Sequence, residues 1–184
     1  GRAAHSGSAP DQGRNALLAL ARTAIAVSEL HAPQGAERLS VVPTVVRSGK
    51  ALNVVPAAGE LLFDMRAADL GAFPAVQAAV PESIDGVSLE TRMERVWPGM
   101  DREESTRGLL EGAGARLGRP IVGVSRGGAS DASHFAGAIP LTVDGLGPRG
   151  GGAHTPEEFV LAPSLAQRAE VALALAVEAL EGEA

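Results

Sequence analysis

Eight residues, Gly59 to Arg66, constrain the fold more than any other stretch. Along an extended chain Leu61, Phe63 and Met65 share one side, and Leu62, Asp64 and Arg66 the other. The first side is wholly apolar and must face a core, so Arg66 points away from it. A valine-rich run from Arg38 to Arg47 comes before, and the connection holds the turn residues Gly49, Asn53 and Pro56. Two strands are expected. Upstream, from Asp11 to Leu30, Leu17, Leu20, Ala21, Ala24, Ile25 and Val27 recur near one face at helical spacing, with Asp11 as the N-terminal boundary. A short helix at 70–80 and a one-sided alternating run from Val87 to Val96 follow. With a strand ending at Gly1, the order is strand, helix, strand, strand, helix, strand, the split ferredoxin-like pattern. This first domain is expected to span residues 1–96.

Past Trp97-Pro98 the pattern changes. Asp101 with Glu104 resembles a capping box for a helix to about Leu117, and Ile121 to Val124 and Ile139 to Val143 read as short buried strands. Between them Gly127-Gly128-Ala129-Ser130-Asp131 opens a short helix. The loop from Gly145 to Gly152 holds five glycines and one proline. Ser164 with Gln167 is expected to cap a last helix to about Leu180, with Leu165, Ala169, Ala172, Leu173, Ala176 and Leu180 facing a core. Residues 97–184 therefore read as α/β, with too few strands for a self-contained layered sheet.

Composition removes several function classes. The 184 residues carry a net charge of -6, one tryptophan and no tyrosine, without a basic cluster, which argues against nucleic acid as partner and favours a small molecule. No stretch approaches the roughly 18 apolar residues of a membrane span. Cysteine is absent, so any metal falls to His, Asp and Glu. The chain opens on Gly1-Arg2-Ala3-Ala4-His5, without a start methionine or a signal-peptide pattern, and reads as a fragment with a cytoplasmic location as the expectation.

His154 ends the glycine-rich loop, in Gly150-Gly151-Gly152-Ala153-His154-Thr155-Pro156-Glu157-Glu158. Imidazole is the commonest nitrogen ligand for zinc, and glycines allow close backbone approach. A histidine before Thr-Pro-Glu is also a helix-start residue bonded to backbone, and spacing leaves both readings open. Ser130, Asp131 and His134 do not form a serine-hydrolase triad: the Gly-x-Ser-x-Gly elbow is absent, and the three lie too close along one helix.

Six motifs appear in order: Gly1-Arg2-Ala3-Ala4-His5-Ser6-Gly7, Asn15-Ala16, Asn53-Val54-Val55-Pro56-Ala57, Asp64-Met65-Arg66, Gly127-Gly128-Ala129-Ser130-Asp131, and Gly145-Leu146-Gly147-Pro148 through His154-Thr155. The series resembles the zinc metallopeptidase and amidohydrolase superfamily of glutamate carboxypeptidase, aminoacylase, acetylornithine deacetylase and succinyl-diaminopimelate desuccinylase. The resemblance implies an α+β ferredoxin-like lid, which dimerises, followed by the C-terminal part of an α/β zinc-peptidase-like catalytic domain. It also implies two zinc ions per site in the intact enzyme, with cobalt or manganese as substitutes, and a homodimer formed through the lid. The His-x-Asp motif, the bridging aspartate, the Glu-Glu pair and a further carboxylate ligand of the family have no counterpart in this sequence.

Carried over by position, His154 matches the metal-binding histidine. His5 matches the lid histidine that stabilises the oxyanion in the active site of the dimer partner, Asn53 a substrate-contacting asparagine, and Arg66 the arginine that grips a substrate carboxylate. Ser130 falls in the turn that contacts substrate, while Asp131 is expected to cap the following helix. Arg126 stands where family members vary, and His31 and His134 match no motif and are expected at the surface. Plainer roles compete: a turn histidine at His5, an Asx turn at Asn53, and a surface ion pair of Arg66 with Asp64 or Asp69. The implied function is hydrolysis of an amide or peptide bond next to a free carboxylate, in an N-acyl amino acid or dipeptide, with the fragment alone inactive. The alternative is a non-catalytic dimerisation or scaffold module of the same fold.

Overall fold

The first helix begins where Asn15 accepts the Leu18 N–H on its side-chain oxygen, and this helix, α1, spans Ala16–Ser28. It starts after the expected Asp11 because Pro10–Gln12 form a separate 3-10 turn and Gly13 is extended. Ala16, Ala19, Leu20, Thr23 and Val27 face inward, whereas Leu17, Ala21 and Ile25 of the expected stripe are exposed. The helix is apolar on two sides, and the side with small residues lies against the protein. Thr23 is accommodated there because its hydroxyl donates to the Ala19 carbonyl at 2.9 Å.

The structure is a computed structural model that describes residues 1–182, and it divides into two units, Gly1–Val96 and a second beginning at Trp97. In the first, β1 (Ser40–Ser48) and β2 (Gly59–Arg66) are antiparallel, with register from Ser48 opposite Gly59 to Ser40 opposite Arg66. The register shifts between Pro43 and Val45, as expected beside a residue that lacks an N–H to donate. Val41 joins Val27 of α1 and Val76 of α2 (Phe73–Ala78) in a buried cluster, against which Phe63 and Met65 pack. Leu62, Asp64 and Arg66 occupy the open face, as the alternation predicts.

The run Val87 to Val96 is not the strand expected from its alternation. Only β4 (Val87–Ser88) pairs, with β3 (Ser83–Ile84), across Asp85 and Gly86, whose φ angles of 49° and 75° suit a two-residue hairpin turn. Beyond Leu89, whose N–H still donates to the Glu82 carbonyl at 2.8 Å, residues 90–96 have no neighbouring strand among the described residues, and an unpaired segment is not held extended by a ladder. The described sheets are all two-stranded, so the four-stranded ferredoxin-like arrangement is not formed as such, although the unit is α+β.

In the second unit α3 (Glu103–Leu117), α4 (Ala132–Ala136), β5 (Gly150–Gly151), β6 (Phe159–Val160) and α5 (Pro163–Glu181) follow one another. Leu109 and Ala113 of α3 pack on Val171, Ala174 and Leu175 of α5. Arg116 bonds Glu178 at 2.6 Å and also Glu181, and these two hydrogen bonds hold its guanidinium pKa above the ordinary value. Five expectations are corrected. Neither expected capping box forms: α3 follows Arg102 and α5 follows Ala162, both without a side-chain cap. The Ser164 hydroxyl is engaged elsewhere, as described below. The stripe assigned to α5 is rotated, leaving Leu165, Leu173 and Leu180 exposed, because the helix is apolar on two sides and α3 covers the one with Val171 and Leu175. Ile121 to Val124 and Ile139 to Val143 are not strands. Val122 and Val124 are 74% and 67% exposed, and no described strand lies beside either segment.

Because Val27 is fully buried against Val41 and Val76, truncating it to alanine removes contacts that cannot be regained locally. Urea denaturation of the Val27→Ala chain should show a loss of about 2 kcal/mol for this unit, whereas Ile25→Ala on the exposed side should cost under about 0.5 kcal/mol.

Candidate active site

The N-terminal segment is bound to the β1–β2 connection by its backbone. Val55 N–H donates to the Ala4 carbonyl at 2.8 Å and Ser6 N–H to the Asn53 carbonyl at 3.0 Å, with His5 and Val54 forming a bridge. Ala9 N–H closes the turn onto the His5 carbonyl at 3.1 Å. Two candidate residues far apart in sequence, His5 and Asn53, are thus adjacent. Both are exposed, and the Asn53 side chain makes no hydrogen bond to a described residue, so the Asx turn does not form. The His5 Nδ1 accepts from the Gly7 N–H at 3.1 Å and the Ser8 N–H at 3.2 Å. The imidazole borders an open pocket of about 380 Å3 shared with Arg2, Ala3, Ala4, Ala9 and Gln12.

Arg66 is not at this turn. The connection carrying Asn53 leaves the Gly59 end of β2, and Arg66 is the last residue at the other end. Seven steps of strand rise separate the ends by roughly 20 Å. The direction of α1 agrees, with Leu20 against Gly59 and Val27 in the cluster with Val41, next to the Ser40–Arg66 pair. Arg66 Nε lies 2.8 Å from Asp64 Oδ2, with both side chains about half exposed, so the expected surface ion pair is present. It leaves the guanidinium on the open face.

In the second unit Ser130 Oγ accepts the Ala132 N–H at 3.1 Å. It, rather than Asp131, satisfies a donor at the start of α4. Asp131 makes no cap and accepts instead from Trp97 Nε1 at 3.3 Å. Trp97 also meets His134, their ring centroids 5.9 Å apart, so His134 is exposed but not isolated. His31, also expected only at the surface, accepts the Val41 N–H on Nδ1 at 3.2 Å and so braces the start of β1.

His154 lies in the connection of the β5–β6 hairpin, with φ of 65°, a left-handed conformation uncommon outside glycine. The connection is held by Thr155, whose N–H and hydroxyl both donate to the Gly152 carbonyl, and by the Glu158 carboxylate, which accepts the His154 N–H at 3.3 Å. Its base is clamped by Ser164, a buried residue whose Oγ accepts the Arg149 N–H at 2.8 Å and donates to the Leu161 carbonyl at 2.6 Å. Arg168, one turn along α5, donates from Nε to the Gly147 carbonyl at 3.1 Å. Sequence reasoning missed both supports. The only signal was a serine and an arginine four residues apart on a helix that follows a glycine-rich loop.

Residues 1–91 match the family described as a peptidase dimerisation domain. The chain is 38% identical over 101 residues to one component of the p-aminobenzoyl-glutamate hydrolase of Escherichia coli, covering 50% of this chain and 22% of that protein. It is 44% identical over 66 residues to indole-3-acetyl-aspartic acid hydrolase of Enterobacter agglomerans, covering 36% of this chain and 15% of that protein. Among solved structures it resembles a tripeptidase from Staphylococcus aureus, with TM-score 0.66 at 19% identity, covering 95% of this chain and 48% of that one. It also resembles an aminobenzoyl-glutamate utilization protein from Klebsiella pneumoniae, with TM-score 0.56 at 26% identity, covering 72% and 36%. The chain thus spans about a fifth of the curated relatives' length and at most about half of these solved chains.

The His154 imidazole is exposed and makes no hydrogen bond to a described residue, which suits a ligand. Among the described residues, however, no group of three or more His, Asp or Glu side chains could hold a metal ion. A catalytic zinc needs about three protein ligands, so the described residues do not fit a complete metal centre. In equilibrium dialysis with metal analysis, the 184-residue chain should bind zinc no better than its His154→Ala variant. Two tightly held zinc ions would overturn this expectation.

Proposed function

The chain belongs to the zinc metallopeptidase and amidohydrolase superfamily whose members carry this dimerisation domain, and from that premise we propose that the intact protein hydrolyses an amide bond next to a free carboxylate. Both named hydrolases act on an acyl group joined to glutamate or aspartic acid, which supports an N-acyl amino acid as substrate, with a dipeptide as the related possibility. Residues 1–96 serve as the lid and 97–184 as part of the catalytic domain. The ferredoxin-like lid belongs to this proposal. Among the described residues β2 shares a ladder with β1 and residues 90–96 lie beside no strand, and one further antiparallel strand between β2 and residues 90–96 would complete the sheet. The intact enzyme depends on zinc, with His154 as one ligand and the others outside these 184 residues.

The observation that carries the reading is the junction of His5 with Asn53. An exposed imidazole donor beside an exposed amide is an arrangement that can meet a carbonyl oxygen as it gains negative charge. Arg66 supplies a planar guanidinium suited to a carboxylate. At roughly 20 Å from the other end of β2, it cannot share one small substrate with the His5–Asn53 turn of the same lid. A two-fold lid dimer resolves this: one protomer brings His5 and Asn53 to a site where its partner brings Arg66. Ser130, with its hydroxyl already committed to the Ala132 N–H, contacts substrate through its remaining hydrogen-bonding capacity.

Two measurements test the reading. Sedimentation equilibrium should find the chain dimeric at micromolar concentration, and a strictly monomeric chain at high micromolar concentration counts against it. In the full-length enzyme, Arg66→Ala should lower kcat/KM for the free-acid substrate about tenfold to a hundredfold, from the loss of a charged hydrogen bond of about 1.5–3 kcal/mol. The carboxamide analogue already lacks the contact and should be turned over equally by parent and variant. Equal losses on both substrates would overturn the carboxylate-gripping role of Arg66.

A further inference from the structure

His5 is the one candidate residue whose ring is tied to its own turn. The Gly7 and Ser8 N–H groups converge on Nδ1 at 3.1 and 3.2 Å, and Nε2 has no partner among the described residues. A nitrogen that accepts two backbone N–H bonds must present its lone pair, so in the neutral ring the proton resides on Nε2. The turn holding those amides is itself fixed, by Ser6 N–H on the Asn53 carbonyl, Ala9 N–H on the His5 carbonyl and the Arg2–Arg14 bridge.

We propose that the backbone amides of Gly7 and Ser8 are positioning groups that lock His5 as the Nε2–H tautomer, so that a neutral imidazole presents a single outward N–H donor to the reacting carbonyl. This deepens the reading of His5 as a donor to the developing oxyanion and rests on it. The lock has two consequences. Nδ1 is unavailable as a base, so His5 neither takes nor gives a proton through that atom and contributes by hydrogen bonding alone. The ring also cannot exchange its two nitrogens by flipping without losing both amide bonds, so the donor is in place before substrate arrives, which is where such a donor is most effective.

The test uses the full-length enzyme and two readouts. In nitrogen-15 NMR of histidine-labelled protein, with the His5 signals assigned by their loss in His5→Gln, the Nε2-protonated neutral form should predominate. In kinetics, the amide of His5→Gln reaches the place of Nε2, and that of His5→Asn only the place of Nδ1. Loss of one oxyanion donor costs on the order of a hundredfold in turnover, so His5→Asn should lose about that much, and His5→Gln should recover at least about tenfold of it with little change in KM. A ring protonated on Nδ1, or an even mixture, overturns the inference while leaving His5 open to another catalytic role. Equal recovery by the two variants also overturns it. A locked Nε2–H ring with both variants as active as the parent removes His5 from the reaction, and the proposed function of this residue falls with the inference.

Discussion

The pairing of β1 with β2 is the constraint on which the first unit depends. Side chains alternate with a period of two, so a slip of one residue would turn Phe63 and Met65 to the open face and press Asp64 and Arg66 against Val27, Val41 and Val76. Burying an uncompensated guanidinium or carboxylate in that cluster costs several kcal/mol, more than the ladder could return. The irregularity at Pro43–Val45 fixes the register further, because a proline there has no N–H to offer a slipped partner.

The place of α1 follows from the same pairing. At Gly59 an added Cβ would lie 2.5 Å from the Arg47 carbonyl oxygen and 2.8 Å from Leu20 Cδ1. Leu20 therefore lies over β2 where there is no side chain, and the N-terminal end of the helix rests beside the β1–β2 connection, Ala16 N–H donating to the Pro56 carbonyl at 2.9 Å. The segment before it, carrying His5, is then near enough for Ala4 and Ser6 to bond the backbone of Val55 and Asn53. The junction of the two candidate residues is thus a consequence of strand register and one glycine, with no attraction between the two side chains required.

Where the sequence was legible, one physical rule governed the outcome; where it misled, two rules competed. Gly59 to Arg66 has one apolar and one polar face, so its element and orientation could be read directly. Helices α1 and α5 carry apolar residues on two faces, and periodicity cannot tell which face a neighbour will cover; Leu17 and Ile25 in one, and Leu165 and Leu173 in the other, are exposed as a result. Ser164 had the form of a cap, but its hydroxyl bridges Arg149 and Leu161, a long-range use that local pattern cannot foresee. The apolar runs at 121–124 and 139–143 have the composition of strands, yet a strand exists only with a neighbour to pair with. The candidate residues became legible through family resemblance; of their geometry, only the outward side of Arg66 could be derived from the pattern alone.

His5 and His154 show two ways of holding an exposed imidazole. At His5 the ring itself is fixed, by two amides of its own turn, and the backbone is extended into a bridge with Val54. At His154 the ring has no hydrogen-bond partner among the described residues, and the constraint falls on the backbone, which is held at positive φ at a cost of order 1–3 kcal/mol and restrained through Gly152, Glu158 and the Ser164 clamp. The difference matches the demands of the two roles proposed for them. A hydrogen-bond donor is useful only if its tautomer and direction are set before charge develops, so the ring must be fixed. A metal ligand is oriented by the ion it binds, which supplies the ring's missing partner, so fixing the backbone within reach is enough.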